Sequence, residues 1–210
     1  MERVVTLKHT DPKDERRRLA RAELRAVGAD GKPKTIGGYA VVYDQNSEEL
    51  GYFIEVVRPG AFTESLKTAD VRCLFNHNAD LVLGRTKAKT LRLFDEAKGL
   101  RFECDLPSTQ AATDLSESIG RGDVDQCSFG FRTLEDRWTY YDGDKPPLRE
   151  LIRCEIYDVS PVTFPAYTAT DVAVRSARQV LDDARAQTKQ LPGGLAMRIR
   201  ELELLESEQD

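Results

Sequence analysis

Apolar positions along this chain recur mostly with a period of two, interrupted by glycine, proline and short polar clusters. Thr90-Leu91-Arg92-Leu93-Phe94 and Leu100-Arg101-Phe102-Glu103-Cys104-Asp105-Leu106 alternate, and Asp95-Glu96-Ala97-Lys98-Gly99 lies between them. That pattern predicts a β-hairpin. Residues 52–57 are aromatic and β-branched and stop at Arg58-Pro59-Gly60, which predicts another strand. Further extended segments are expected at 24–27, 36–43, 71–75, 81–85, 124–133 and 151–159. Trp138-Thr139-Tyr140-Tyr141 and Asp142-Gly143-Asp144 read as an exposed hairpin excursion between the last two.

Helical spacing is scarcer. Ala112, Leu115 and Ile119 fall three and four residues apart, and Gly120-Arg121-Gly122 stops the run. Residues 61–67 allow a short helix. Beyond Pro165 the composition shifts to alanine, arginine and glutamine, with Val174, Ala177, Leu181 and Ala184 on one helical side. Pro192-Gly193-Gly194 breaks that segment, and 195–206 fits a second charged helix. Residues 9–20 are dominated by charge, the pattern of a solvated arm or a short exposed helix. The organisation expected is a charged N-terminal arm (1–21), a central domain (22–170) and a helical C-terminal tail (171–210). Many strands with one or two helices favour an α+β fold built on an antiparallel barrel or sandwich over alternating βαβ units.

The bulk properties narrow the function classes. The 210 residues are 40% hydrophobic, enough for a core, and carry 31 basic against 36 acidic side chains, a formal charge of −5. That balance disfavours nonspecific nucleic-acid binding. No apolar run approaches the roughly 18–20 residues that cross a bilayer, and the N-terminus lacks the apolar segment of a secretory signal. Cys73, Cys104, Cys127 and Cys154 show no Cys-x-x-Cys spacing and have no histidine cluster nearby. They read as reduced structural thiols, with no metal site and no cofactor expected. Cys73 and Cys127 flank the candidate residues below, so a thiol nucleophile is a minor alternative.

Only two histidines occur. His9 lies in the charged N-terminal stretch, where no packing is expected. His77 lies where the apolar run Val71–Phe75 gives way to Asn76-His77-Asn78-Ala79-Asp80, a mouth-like position for a partly desolvated imidazole. Strand alternation would put Val71, Cys73 and Phe75 on its face; the alternative is a turn histidine with no task. In Cys127-Ser128-Phe129-Gly130-Phe131 the same alternation places Cys127, Phe129 and Phe131 on one face and Ser128 with Gly130 on the other. A serine so held, with an open position beside it, suits a nucleophile approached by an extended peptide; a structural serine bonded to a carbonyl fits the pattern too. Asp158 would share a face with Cys154 and Ile156, and Glu155 would face oppositely. A carboxylate there can orient a histidine or pair with Arg85 or Arg153. Gly120-Arg121-Gly122 can supply backbone donors or simply end a helix. No Gly-x-Ser-x-Gly elbow, phosphate loop or His-Glu-x-x-His sequence is present.

Taken together, ordered fragments across residues 22–170 resemble the prohead serine protease family of HK97-type tailed phages, which is related to herpesvirus assembly proteases. They are Gly38-Tyr39-Ala40, Glu55-Val56-Val57-Arg58-Pro59-Gly60-Ala61-Phe62, Leu74-Phe75-Asn76-His77, Gly84-Arg85, Gly99-Leu100-Arg101-Phe102 and Gly122-Asp123-Val124. Cys127-Ser128-Phe129-Gly130-Phe131 and Asp158-Val159-Ser160-Pro161-Val162-Thr163-Phe164-Pro165-Ala166 complete the set. The resemblance implies a mostly antiparallel β-barrel surrounded by helices and a serine endopeptidase. Ser128 would be the nucleophile, His77 the general base and acid, and Asp158 the orienting residue, where the family often has glutamate. Cys127 stands where methionine is common. The resemblance further implies action inside the assembling prohead in the host cytoplasm. Its substrates would be scaffold or the scaffold-like part of the major capsid protein, and the enzyme itself, with processing expected within 170–200. No specific nucleic acid and no membrane partner are expected, and a homo-oligomer is compatible. The competing expectation is a noncatalytic assembly or scaffold module on the same fold.

Overall fold

The computed structural model describes residues 2–19, 24–27, 35–50, 53–142 and 145–163. In chain order the elements are β1 (Arg3–Lys8), β2 (Asp14–Leu19), β3 (Arg25–Val27), β4 (Thr35–Val42), β5 (Ile54–Val57), α1 (Thr63–Leu66), β6 (Arg72–Phe75), β7 (Asn78–Arg85), β8 (Leu91–Glu96), β9 (Gly99–Asp105), α2 (Gln110–Arg121), β10 (Gln126–Tyr140) and β11 (Leu148–Val162). The seven-stranded sheet runs β1-β10-β11-β6-β7, with β2 also on β10 and β5 also on β11. A four-stranded sheet runs β3-β4-β9-β8.

The long antiparallel pair β10–β11 is the spine of the larger sheet. Beyond it, β1 pairs with Glu135 to Tyr140 and β2 with Cys127 to Arg132, so the N-terminal strands together line one side of β10. On the other side of the pair, β5 and β6 run parallel to β11. One apolar cluster joins the two sheets through Ile36, Phe102, Leu100, Phe131, Leu151 and Ile156, with Phe62 beside α1. These residues are the inward positions of the alternating runs, as burial of one sheet face requires. The hairpin expected from residues 90–106 forms as β8–β9. Helix α2 starts at Thr109, whose hydroxyl accepts from the Ala112 N–H, and ends at Gly122 with φ +83°. It buries Ala112, Leu115 and Ile119.

Several expectations are corrected. The described strands do not close into a barrel: β7 ends one sheet, and β3 and β8 end the other. The helices described are two, of 4 and 12 residues. Residues 14–19 are neither a solvated arm nor a helix but a strand of the larger sheet. A hydropathy pattern misses such a strand because its burial is ionic: Glu15 and Arg17 meet charged partners instead of apolar ones. The hairpin read at 138–144 forms as the continuation of β10 and β11, each 15 residues long, but its strand residues are not exposed, and residues 143 and 144 lie outside the described residues. Trp138 is fully buried and meets Phe53 edge-on with ring centroids 5.0 Å apart. The tail expected at 171–210 lies outside the described residues.

Candidate active site

Ser128 and Asp158 are brought together by the register of β10 against β11. Ser128 faces Ser160, and Gly130 faces Asp158. The next pair is Phe131 with Ile156, so Tyr157 is an extra residue in β11, a β-bulge. Because of the bulge, Ile156 faces the core with Phe131 while Asp158 faces the same side as Ser128. The expectation that Asp158 shares a face with Ile156 is therefore corrected. The Tyr157 ring lies over Gly130: a Cβ at position 130 would sit 2.6 Å from its Cε2. Behind this surface, Phe129 and Phe131 stack with centroids 5.1 Å apart and fix the strand to the core.

His77 is not part of a strand. Phe75 pairs with Asn78, which leaves Asn76 and His77 as a two-residue hairpin loop. Their φ values are +53° and +55°, the signature of a type I′ turn. A left-handed conformation is costly for a residue with a side chain, and Asn and His tolerate it better than most. The loop is clamped to the end of β11. Asn76 N–H donates to Pro161 O at 3.0 Å, Thr163 N–H donates to Asn76 Oδ1 at 2.9 Å, and Asn76 Nδ2 donates to Thr163 Oγ1 at 3.2 Å. Asn76 and Thr163 stood beside the candidates in sequence, but nothing in their pattern marked them as a clamp.

The clamp aims the imidazole between the other two groups. His77 Nε2 lies 2.6 Å from Ser128 Oγ, and His77 Nδ1 contacts Asp158 Oδ2. Ser160, fully buried, donates its hydroxyl proton to Asp158 Oδ1 at 2.8 Å. With Nδ1–H bonded to Asp158, Nε2 presents its lone pair to the serine hydroxyl. Ser128 Oγ has a second neighbour, the backbone carbonyl of Arg17 in β2, 2.9 Å away. A hydroxyl has one proton and cannot give it to both.

The other expected partners are elsewhere. Arg85 grips Asp70 through Nε and Nη2, Arg153 lies near Glu135, and Glu155 meets Arg132. Gly122 spends its N–H on Ile119 O and Ser118 O, so it ends the helix. The thiols are not activated: burial pushes Cys127 far up, and a bond with Cys104 together with burial does the same to Cys73. Among the described residues, no group of three or more His, Cys, Asp or Glu side chains is placed to hold a metal ion.

Next to the catalytic candidates lies a buried ionic network that sequence reasoning missed. Arg149, 1% exposed, donates to Asp136, Glu15, Glu55 and Thr133. Arg17 adds a two-pronged contact with Glu55 at 2.7 and 3.1 Å. His9, expected to be unpacked, lies 3.0 Å from Asp136. Burial works to raise the Glu15 carboxyl, but Arg149 and Arg17 outweigh it and hold it down at about 2. The network fastens β2 to the sheet that carries Ser128.

The sequence model of the caudovirus prohead serine proteases matches residues 20–183. The chain belongs to this family. The matched span holds Ser128, His77 and Asp158, together with Asn76, Ser160 and Thr163. It begins after β2. Among solved structures, the bacteriophage T4 capsid assembly protease gp21 aligns with 74% of this prohead protease family member and 100% of its own chain. The TM-score is 0.48 and the sequence identity 9%. No curated protein matches the chain.

Proposed function

We propose that the protein is the serine endopeptidase of a tailed phage that matures the prohead. It would cut scaffold or the scaffold-like portion of the major capsid protein, and itself within residues 170–200. The observation that carries this reading is the continuous contact from Ser128 Oγ through the His77 ring to Asp158, in a chain that belongs to the prohead serine protease family.

The chemistry follows from the order of these groups. His77 Nε2 takes the Ser128 proton as Oγ attacks the carbonyl carbon of the peptide bond. Asp158 holds the ring by Nδ1 and stabilises the imidazolium that forms, and Ser160 keeps the second carboxylate oxygen occupied. The imidazolium then protonates the departing amine, which leaves the acyl group on Oγ. A water molecule gives its proton to Nε2 as it attacks the ester, and the returning proton regenerates the serine. The host cytoplasm, within the assembling shell, is the proposed place of action.

Coexpression with the cognate capsid and scaffold proteins, followed by intact-mass analysis, tests the proposal. The wild type is expected to shorten its substrates and its own C-terminal region. Ser128→Ala is expected to leave all of them full length while keeping a cooperative unfolding transition. Full processing by Ser128→Ala would refute the assignment. A wild type that binds the shell but cuts nothing would identify a noncatalytic assembly module.

A further inference from the structure

Ser128 is only 5% exposed, which is little for a group that must meet a polypeptide. The backbone against it is β2, paired antiparallel with β10 from Cys127↔Leu19 to Arg132↔Asp14 and passing Ser128 at Arg18. An extended peptide cut by Ser128 would need this same edge, because main-chain pairing beside the nucleophile brings a carbonyl to Oγ. The Arg17 carbonyl already takes that place at 2.9 Å and competes with His77 for the hydroxyl proton.

We propose that β2 is a built-in occupant of the substrate's strand position. The edge of β10 from Cys127 to Arg132 then becomes the docking site for an extended substrate segment once β2 withdraws. The inference rests on the reading of Ser128 as nucleophile. Two further observations support it. The family match begins at residue 20, so β1 and β2 lie in front of the matched region. In addition, no described side chain of β2 belongs to the apolar core. The described side chains of β2 hold it by charge and hydrogen bonds: Glu15 on Arg149 and Thr133, Arg17 on Glu55 and over the Phe131 ring at 5.6 Å, with the Tyr157 hydroxyl on the Glu15 carbonyl. Withdrawal of β2 therefore exposes the charged partners of Glu15 and Arg17 to water, which can solvate them. Arg149 keeps Asp136 and Glu55 as counter-charges when Glu15 leaves.

A reversible lock tests the proposal in the full chain. Asp14 and Arg132 face each other across the two strands, are exposed, and are joined by a 2.6 Å ion pair. Asp14→Cys with Arg132→Cys places two thiols at a spacing suited to a disulfide, and the four native cysteines are buried. A fluorophosphonate probe, followed by intact mass, reports access to Ser128. The oxidised form is expected to react about tenfold more slowly than the same protein after reduction, and Arg17→Ala faster than wild type. Equal rates in the oxidised and reduced forms would overturn the proposal while leaving Ser128 as nucleophile. If the double variant does not fold, an unchanged rate in Arg17→Ala overturns it. Absence of Ser128 labelling in every form would overturn the nucleophile assignment, and the proposal with it.

Discussion

Asp158 divides its two oxygens between His77 and the Ser160 hydroxyl, and that division sets the expected cost of two substitutions. Asp158→Asn keeps the shape but no longer favours the Nδ1–H tautomer or the imidazolium. On the proposed mechanism, this loss of orientation is expected to lower kcat by about 10⁴-fold. Ser160→Ala removes one bond to a carboxylate that keeps its contact with His77. It is expected to cost far less in kcat, about tenfold, with substrate KM unchanged. Single-turnover cleavage of a capsid-derived peptide by the two variants checks the order; equal losses would contradict this division of roles. Ser128 and His77 were legible as candidates because serine beside Gly130 and a scarce histidine stand out. Asp158 was legible as a residue but not in orientation, since one extra residue at Tyr157 reverses its face. Ser160 gave no signal, because a buried serine beside a carboxylate looks like ordinary strand sequence.

At the scale of elements, Gly130 joins the strand to the site. It faces Asp158 and lies under the Tyr157 ring, with no room for a methyl group. Gly130→Ala is expected to lower stability by about 1–3 kcal/mol through overpacking. Displacement of the bulge next to Asp158 is also expected to lower activity. Urea unfolding and peptide cleavage measure both; a variant with wild-type stability would show that the ring moves aside freely. The elements best foreseen are those whose instructions are local: the β8–β9 hairpin, and α2 with Thr109 and Gly122 at its ends. The charged run in β2 was misjudged because the groups that bury it, such as Thr133 and Arg149, come more than a hundred residues later.

For the molecule as a whole, the network around Arg149 links β1 and β2 to the sheet through carboxylates held in their charged form. Burial opposes the charge on Glu15 and Asp136, yet their cationic and hydrogen-bonded neighbours keep both below their ordinary values. A carboxyl that resists protonation when folded adds stability that is complete above its unfolded value. That stability drains away as pH falls through the folded value. For Glu15 the window runs from 4.5 down to about 2. The urea midpoint is expected to hold from neutrality to about pH 5 and to fall below that. A midpoint that is flat between about pH 5 and pH 3 would mean that these carboxylates add nothing to folding.

The hairpin carrying His77 imposes a rule of length. Its imidazole is mounted on the second of two left-handed residues, and Asn76 anchors the first to Thr163. One added or deleted residue at this tip would rotate the ring out of line with Asp158 and Ser128 while the strands below stayed paired. On the proposed mechanism, insertions near positions 76 and 77 would therefore separate activity from folding in this protein: a variant silenced there would still look native to any probe of its core.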